Sequence, residues 1–387
     1  MAAPASIALV VPRHADGATA GGAETLLRQL ALRCAGRGHR VRLLTTCATS
    51  HFTWANERAP GVVRDGPLEV EYFPVDDRDA GVFLEHQQTL SRGADLTRAQ
   101  EEAWLANSVH SRALYDHLRA ADYDRVLAGP YLFGLTVGAA RVRPERTLLV
   151  PCLHDEPFAY VSLIREMFGA VRGCLFNSEP ERDLAARICG LPEARGRVVG
   201  MGIETFDANP AAFAARRGID APYVLYSGRR EAAKGVPMLA EYVRVFRERT
   251  GRDVRLVMTG SGPVDAHPFV VDAGMLPEAE KREAMAGARV FCHPSRLESL
   301  GIVLLESFMA GTPALVNEGS EVLQWQCRRS GAGLGFRHYP DFEAMLDRLL
   351  ADEPLRARMG AQGRRFVQTE YSWPAVDARL FQALETL

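Results

Sequence analysis

Glu298 and Glu306 stand with seven residues between them in ESLGIVLLE, and the second interrupts a run, residues 300–310, that is otherwise almost wholly apolar. A helix apolar on every side is normally buried, and a carboxylate carried into such a place needs a polar partner. Upstream, SGRREAAKG at residues 227–235 sets Arg229 and Lys234 between Gly228 and Gly235. Two cations on a glycine-framed turn, where a strand gives way to a helix, suit a phosphate. The amides around Ser299, Leu300 and Gly301 open a helix and also suit an anion. From there to Glu306 is about six residues, or ~9 Å of helix, comparable with a diphosphate. Glu306 would then accept from hydroxyls at one end of such a ligand and Glu298 from hydroxyls at the other. Blander readings stand beside these: a buried Glu306 neutralised by a neighbouring arginine, a solvated loop acid at Glu298, an ordinary basic loop at Arg229 and Lys234. Two acids also invite comparison with a glycoside hydrolase, whose carboxylates flank the scissile bond ~5–9.5 Å apart. Glu306 lies in a helix packed by Ile302, Leu305 and Met309, a poor place from which to reach an anomeric carbon.

The elements that position these residues repeat a strand-then-helix pattern. Residues 6–12 (SIALVVP) form a short apolar run; Leu26, Leu27, Leu30, Ala31 and Cys34 follow on one helical stripe, glycines 36 and 38 stop that helix, and residues 41–46 form a second buried-type strand. This is a βαβ opening. Further strands are expected at 125–128, 147–151 and 173–177, then, after a polar and irregular linker at 203–222, at 223–227, 255–259, 289–293 and 313–316. The helix carrying Glu306 runs to about Ala310, where Gly311 and Pro313 end it. Two βα series around a linker predict two doubly wound domains, with ligands at the carboxyl ends of the strands.

Composition narrows the classes. A chain of 387 residues with 47% hydrophobic and 24% charged residues is that of a folded, two-domain protein, and a net charge of −2 argues against a general polyanion binder. Of 46 basic residues only Lys234 and Lys281 are lysines, so a lysine in this chain stands where arginine is the default. Seven dispersed cysteines without a C-x-x-C pair fit buried thiols in a reducing compartment. No signal-like or membrane-spanning run is apparent, and a cytoplasmic location is expected.

ESLGIVLLESFMAGTPAL resembles the Glu-x7-Glu motif of retaining glycosyltransferases of family 4, and GRREAAKG resembles their Gly-Arg, four residues, Lys-Gly phosphate loop. GGAETLLRQLALRCAGRGHRVRLLTT is similar to the family's first βαβ unit, His154 and Asp155 to its acceptor-side histidine region, FNSE, GMGIE and TGSGP follow in order, and YSWPAVDARLFQAL resembles the terminal helix that crosses back to the N-domain. The resemblance implies an α/β chain of the GT-B fold, two Rossmann-like doubly wound domains facing a central cleft: an acceptor domain at 1–203, a nucleotide-sugar domain at 204–370 and a terminal helix at 371–387. It implies a retaining hexosyltransferase that moves a sugar from a nucleoside-diphosphate sugar, most readily a UDP- or GDP-sugar, to a glycan, lipid or small-molecule acceptor. The transferred group would be served by Glu298, His154, Arg229 and Lys234, and the donor bound by Gly21, Gly22, Gly228, Arg229, Lys234, Glu298, Ser299, Leu300, Gly301, Ile302 and Glu306. In that family the departing phosphate is thought to take the acceptor proton on the same sugar face. No metal and no cofactor are implied, since Arg229, Lys234 and helix starts supply positive charge.

On the residues alone, Gly21 and Gly22 either admit a diphosphate or merely shape a turn, and His154 is an unremarkable histidine. The loop RHADGATAGGAE lacks G-x-G-x-x-G, which weakens an NAD-dependent oxidoreductase reading. A binding protein that keeps the fold without turnover is the other alternative. VDDRD at 75–79 reads as a solvated loop rather than a metal site, Trp54 and Trp104 as core anchors or acceptor contacts, and peripheral membrane contact is unsupported by any strongly basic amphipathic helix. The segment after Gly311–Thr312–Pro313 departs from the commoner family text, so the nucleotide base is left unassigned.

Overall fold

The computed structural model describes residues 4–14 and 21–387. The chain forms two compact units, Met1–Met201 with Asp377–Leu387, and Gly202–Val376. Unit 1 is built on strands β1 (Ser6–Val10), β2 (Arg40–Thr46), β3 (Gly61–Asp65), β4 (Leu68–Phe73), β5 (Arg125–Ala128), β6 (Thr147–Leu149), β7 (Gly173–Phe176) and β8 (Gly196–Val198). They lie in the order β3-β4-β2-β1-β5-β6-β7-β8, parallel apart from the β3–β4 hairpin. Helices α1 (Gly22–Gly36), α2 (Ala80–Ser91), α3 (Arg98–Ala106), α4 (Arg112–Ala120), α5 (Gly134–Val142), α6 (Ser162–Ala170) and α7 (Glu179–Cys189) connect them. The predicted stripe of α1, Leu26, Leu27, Leu30, Ala31 and Cys34, is its buried face.

Unit 2 carries β9 (Tyr223–Ser227), β10 (Arg255–Thr259), β11 (Val270–Gly274), β12 (Val290–His293), β13 (Ala314–Asn317) and β14 (Gly333–Phe336), in the order β11-β10-β9-β12-β13-β14 and all parallel. Its helices are α8 (Ala212–Arg217), α9 (Val236–Thr250), α10 (Glu278–Gly287), α11 (Ile302–Met309), α12 (Glu321–Ser330), α13 (Tyr339–Ala351) and α14 (Glu353–Glu370). The order reverses between β9 and β12, with β10 on one side and β13 on the other, so the loops after β9 and β12 flank a switch point. Strands buried on both faces read as unbroken apolar text, which is why β9 and β10 fall where the sequence predicts them.

The last helix, α15 (Trp373–Thr386), ends in unit 1. There Arg33 of α1 donates through Nε to Asp377 Oδ1 at 2.8 Å, and Arg379 Nε donates to Val199 O at 3.1 Å. Several expectations need correction. The irregular linker contains α8, whose Phe213 is fully buried. The strands expected at 147–151 and 173–177 stop at Leu149 and Phe176, and the one expected at 289–293 starts at Val290. Trp104 and Trp54 are buried core residues; the Trp104 indole donates to Gln87 Oε1 at 3.2 Å. All seven cysteines are free, and no helix of the described residues is long and apolar enough to cross a membrane.

Candidate active site

At the carboxyl edge of the unit 2 sheet, the turn after β9 and the loop after β12 close on one another. Gly235 precedes α9 in the left-handed region, at φ +75°, and a Cβ there would lie 2.8 Å from the carbonyl oxygen of Pro294. Only glycine lets the phosphate-type turn pack against the strand end at His293–Pro294. Gly301 repeats the device at the start of α11, at φ +79°, where a Cβ would meet Leu323 of α12 at 2.8 Å. Neither α9 nor α11 has a side-chain N-cap. The first amides of α11, and those of α9 apart from Pro237, which has no N–H, are left without an intrahelical acceptor, as at any helix start.

Lys234 bridges these two loops. Its Nζ donates to Glu298 Oε1 at 2.7 Å and to Leu297 O at 3.3 Å. An ammonium has three N–H donors, so one remains for a ligand. The imidazole of His293, buried at the end of β12, has Nε2 3.7 Å from the same Glu298 oxygen. Burial lowers the His293 pKa, the Glu298 carboxylate opposing and the Lys234 ammonium assisting. Arg229 is half exposed, with its guanidinium 3.3 Å from Glu231. The Leu300 carbonyl, one residue before the Gly301 turn, accepts from Gln326 Nε2 at 3.3 Å, and that amide also donates to Tyr371 OH at 2.8 Å.

Glu306 meets a lysine, not the arginine its setting suggested. Lys281 of α10 donates to Glu306 Oε1 at 3.0 Å and also pairs with Glu278 Oε2 at 2.9 Å. Burial raises the Glu306 pKa, and Lys281 opposes it. Burial would lower that of Lys281, but Glu306 and Glu278 outweigh it and raise it. The second oxygen, Glu306 Oε2, is buried with no hydrogen-bond partner among the described residues. Thus both lysines of the chain face the two spaced acids, Lys234 with Glu298 and Lys281 with Glu306. Sequence reasoning missed Lys281 and His293; the rarity of lysine was the signal that pointed to the first.

The expected residues of unit 1 lie at its own sheet edge. Residues 15–20 of the loop after β1 lie outside the described residues. Gly21 and Gly22 follow them, and the Gly21 amide donates to Glu24 Oε2 at 2.5 Å while Glu24 Oε1 accepts from Arg13 Nε at 2.7 Å. That amide is therefore occupied from within the chain. His154 follows β6, with Nδ1 3.4 Å from Glu156 Oε1, the oxygen that also accepts from Tyr131 OH at 2.7 Å. The loop before it is fixed by Glu181, fully buried, whose two oxygens accept from the amides of Leu153 and Asn177, each at 2.6 Å. Burial lifts the Glu181 pKa to about 8 against those hydrogen bonds. No sequence period marks Glu181, because its partners are backbone amides, one four residues away and the other 28. The 75–79 stretch is structural: Asp79 caps α2, and Asp76 accepts from the Arg112 amide at 2.9 Å.

Residues 20–206 match the model of Glycosyltransferase Family 4 and residues 221–352 that of Glycosyl transferases group 1. The chain is 28% identical over 150 residues to a GDP-mannose-dependent monoacylated alpha-(1-6)-phosphatidylinositol monomannoside mannosyltransferase of Corynebacterium glutamicum; that match takes in 35% of this chain and only 39% of the relative. It is 26% identical to the D-inositol 3-phosphate glycosyltransferase of Streptomyces bingchenggensis, over 90% of this chain and 82% of that one. Among solved structures, HepE of Anabaena in complex with UDP and glucose superposes with a TM-score of 0.70 at 14% identity, covering 99% of this chain and all of that one. Two Rossmann-like, mostly parallel sheets with neighbours of this kind define the GT-B fold. The chain belongs to the family 4-like glycosyltransferases of the GT-B fold.

Proposed function

We propose that the protein is a retaining, metal-independent hexosyltransferase that uses a nucleoside-diphosphate sugar. The observation that carries this is the Lys234–Glu298 pair, which joins the phosphate-type turn to the acid loop beside two uncapped, glycine-started helices. In the proposed complex the donor diphosphate lies against Arg229, the remaining N–H of Lys234 and the amides at Ser299, Gly301 and Ile302, with Gly228 and Leu300 shaping the walls. Glu306 accepts from the ribose hydroxyls and Glu298 from hydroxyls of the transferred sugar. The C1–O bond to phosphate breaks, the acceptor oxygen bonds C1 on the same face, and the acceptor proton passes to the departing phosphate oxygen. Arg229 and Lys234 offset the charge that develops on that phosphate. Unit 1 is the acceptor domain, where Glu156 lies 3.4 Å from the His154 ring. UDP- or GDP-sugars are the donors the reading favours, since one relative is named as GDP-mannose-dependent and one structural neighbour holds UDP. A hydroxyl of a glycan or of an inositol-bearing lipid is the acceptor type that the relatives' names support.

The test is a screen of UDP, GDP, ADP and dTDP sugars by thermal shift, followed by NMR of donor turnover with EDTA present. The reading expects one nucleotide class to raise the melting temperature and the wild type to turn that donor over slowly in EDTA, with anomeric configuration kept. Stabilisation by NAD instead, inversion at the anomeric carbon, or no turnover of any sugar nucleotide would contradict it.

A further inference from the structure

The pairing of Glu306 leaves a question that the proposed donor complex does not answer. A buried carboxylate oxygen without a partner is expensive to keep, and Glu306 keeps one although a cation lies beside it. We propose that Lys281 is the positioning residue of the nucleotide site: it takes one oxygen of Glu306 and so presents the other, Oε2, as the acceptor for the hydroxyls of a bound ribose. The inference rests on the reading of Glu306 as the ribose acid.

The identity of the cation is part of the argument. A guanidinium is a planar fork that engages both oxygens of a carboxylate, whereas an ammonium is a point donor that can hold one. Arginine fills all but two of the 46 basic positions of this chain, and a lysine stands at this one. Lys281 is itself anchored, by Glu278 one helical turn away, so its Nζ is fixed from two sides. The charged groups that bear on Glu306 are Lys281, Glu278 and Arg282, all of α10. On α11 no other residue is charged. The helix α14 also meets α11 and its end, with Gly363 beside Phe308 and Gly360 beside Gly311. Of the two cations of α10 that favour the ionised Glu306, Lys281 is the one hydrogen-bonded to it, and Arg282 adds a smaller contribution.

Isothermal titration of UDP and GDP, and of their 2′,3′-dideoxy counterparts, against the full-length wild type, K281M, K281R and E306Q tests this between pH 5.5 and 8.5. The wild type is expected to bind its preferred ribonucleotide about tenfold or more tightly than the dideoxy form across the range. K281M is expected to lose that preference at the acid end and recover it as pH rises, because without the ammonium the buried Glu306 ionises only at higher pH. K281R keeps the cation, so its profile stays flat, but the fork occupies Oε2 and the ribose preference falls about tenfold at every pH. E306Q has no preference and no pH dependence. A wild type that ignores the ribose hydroxyls overturns the reading of Glu306 and the inference with it. A wild type that prefers ribose, with K281M and K281R both matching it, overturns the role of Lys281 alone; K281R indistinguishable from wild type while K281M loses affinity overturns the one-oxygen presentation and leaves only a charge effect.

Discussion

At the carboxyl edge of the unit 1 sheet the chain fills its own anion positions. Glu24 takes the Gly21 amide before α1, Glu181 takes those of Leu153 and Asn177, and Glu101 takes that of Ser162, the first residue of α6, at 2.9 Å. At the corresponding edge of unit 2, α9 and α11 start from left-handed glycines with no side-chain cap, and the nearby carboxylate, Glu298, is held by Lys234. The two sheets share a topology class but not the treatment of their backbone donors. A helix start already answered by the chain's own carboxylate has little left for a ligand's phosphate; one left uncapped beside Arg229 and Lys234 has its field to spare. The difference supports assigning the donor diphosphate to unit 2 and the acceptor to unit 1.

That contrast can be broken or sharpened by substitution. The largest effect is expected at Lys234: K234M removes the cation that offsets leaving-group charge, and kcat with the preferred sugar nucleotide should fall by about 10²–10³-fold; steady-state assays showing a wild-type rate would remove Lys234 from the proposed mechanism. Next comes G301A, which forces a left-handed backbone on alanine and drives its Cβ toward Leu323, for about 1–3 kcal/mol of lost stability in denaturant unfolding together with weaker donor binding. A variant as stable as wild type would mean that the turn before α11 relaxes freely. In unit 1, E24A should lower stability by about 0.5–2 kcal/mol, as loss of a helix-start acceptor does, while leaving nucleotide affinity within about twofold in the same titration. A tenfold change in affinity would place the α1 start in the donor site and erase the contrast between the units.

The smallest effect concerns Glu181. Its pKa rises to about 8 on burial, so at pH values between the ordinary carboxylate range and about 8 the folded protein keeps a proton that the unfolded chain has released. Stability must therefore fall as pH rises through that window. Melting curves from pH 5 to 8.5 should show this slope in wild type and a shallower one in E181Q, at a lower overall melting temperature because an amide donor then faces a backbone N–H. Equal slopes would mean that the hydrogen bonds from Leu153 and Asn177 outweigh burial.

What the sequence showed and what it hid follow from the range of each interaction. Strands β9 and β10 are legible to the residue because both faces are buried and the apolar text ends where the sheet does. The stripe of α1 is legible because its period is local. Strand β14 reads GLGF, poor in strand-forming residues; Gly333 is demanded by Cys327, whose Sγ would lie 2.2 Å from a Cβ there, and no local pattern signals that contact. The β3–β4 hairpin is not among the expected strands, although LEVEYF alternates in burial. At the site, the turn carrying Arg229 and Lys234 and the helix carrying Glu306 are visible as text, but their partners are not. Glu306 finds Lys281 on another helix, and His293 comes near Glu298 through a loop. A composition bias, two lysines among 46 basic residues, was the single trace of those contacts in the sequence.

The most direct test of the central claim is a crystal structure grown with the nucleoside diphosphate that gives the largest thermal shift. The account predicts its phosphates between Arg229, Lys234 and the Gly301 turn, its ribose hydroxyls on Glu306 Oε2, and Lys281 still on Oε1. A nucleotide bound at the unit 1 sheet edge, or one in unit 2 with no hydroxyl near Glu306, would contradict it.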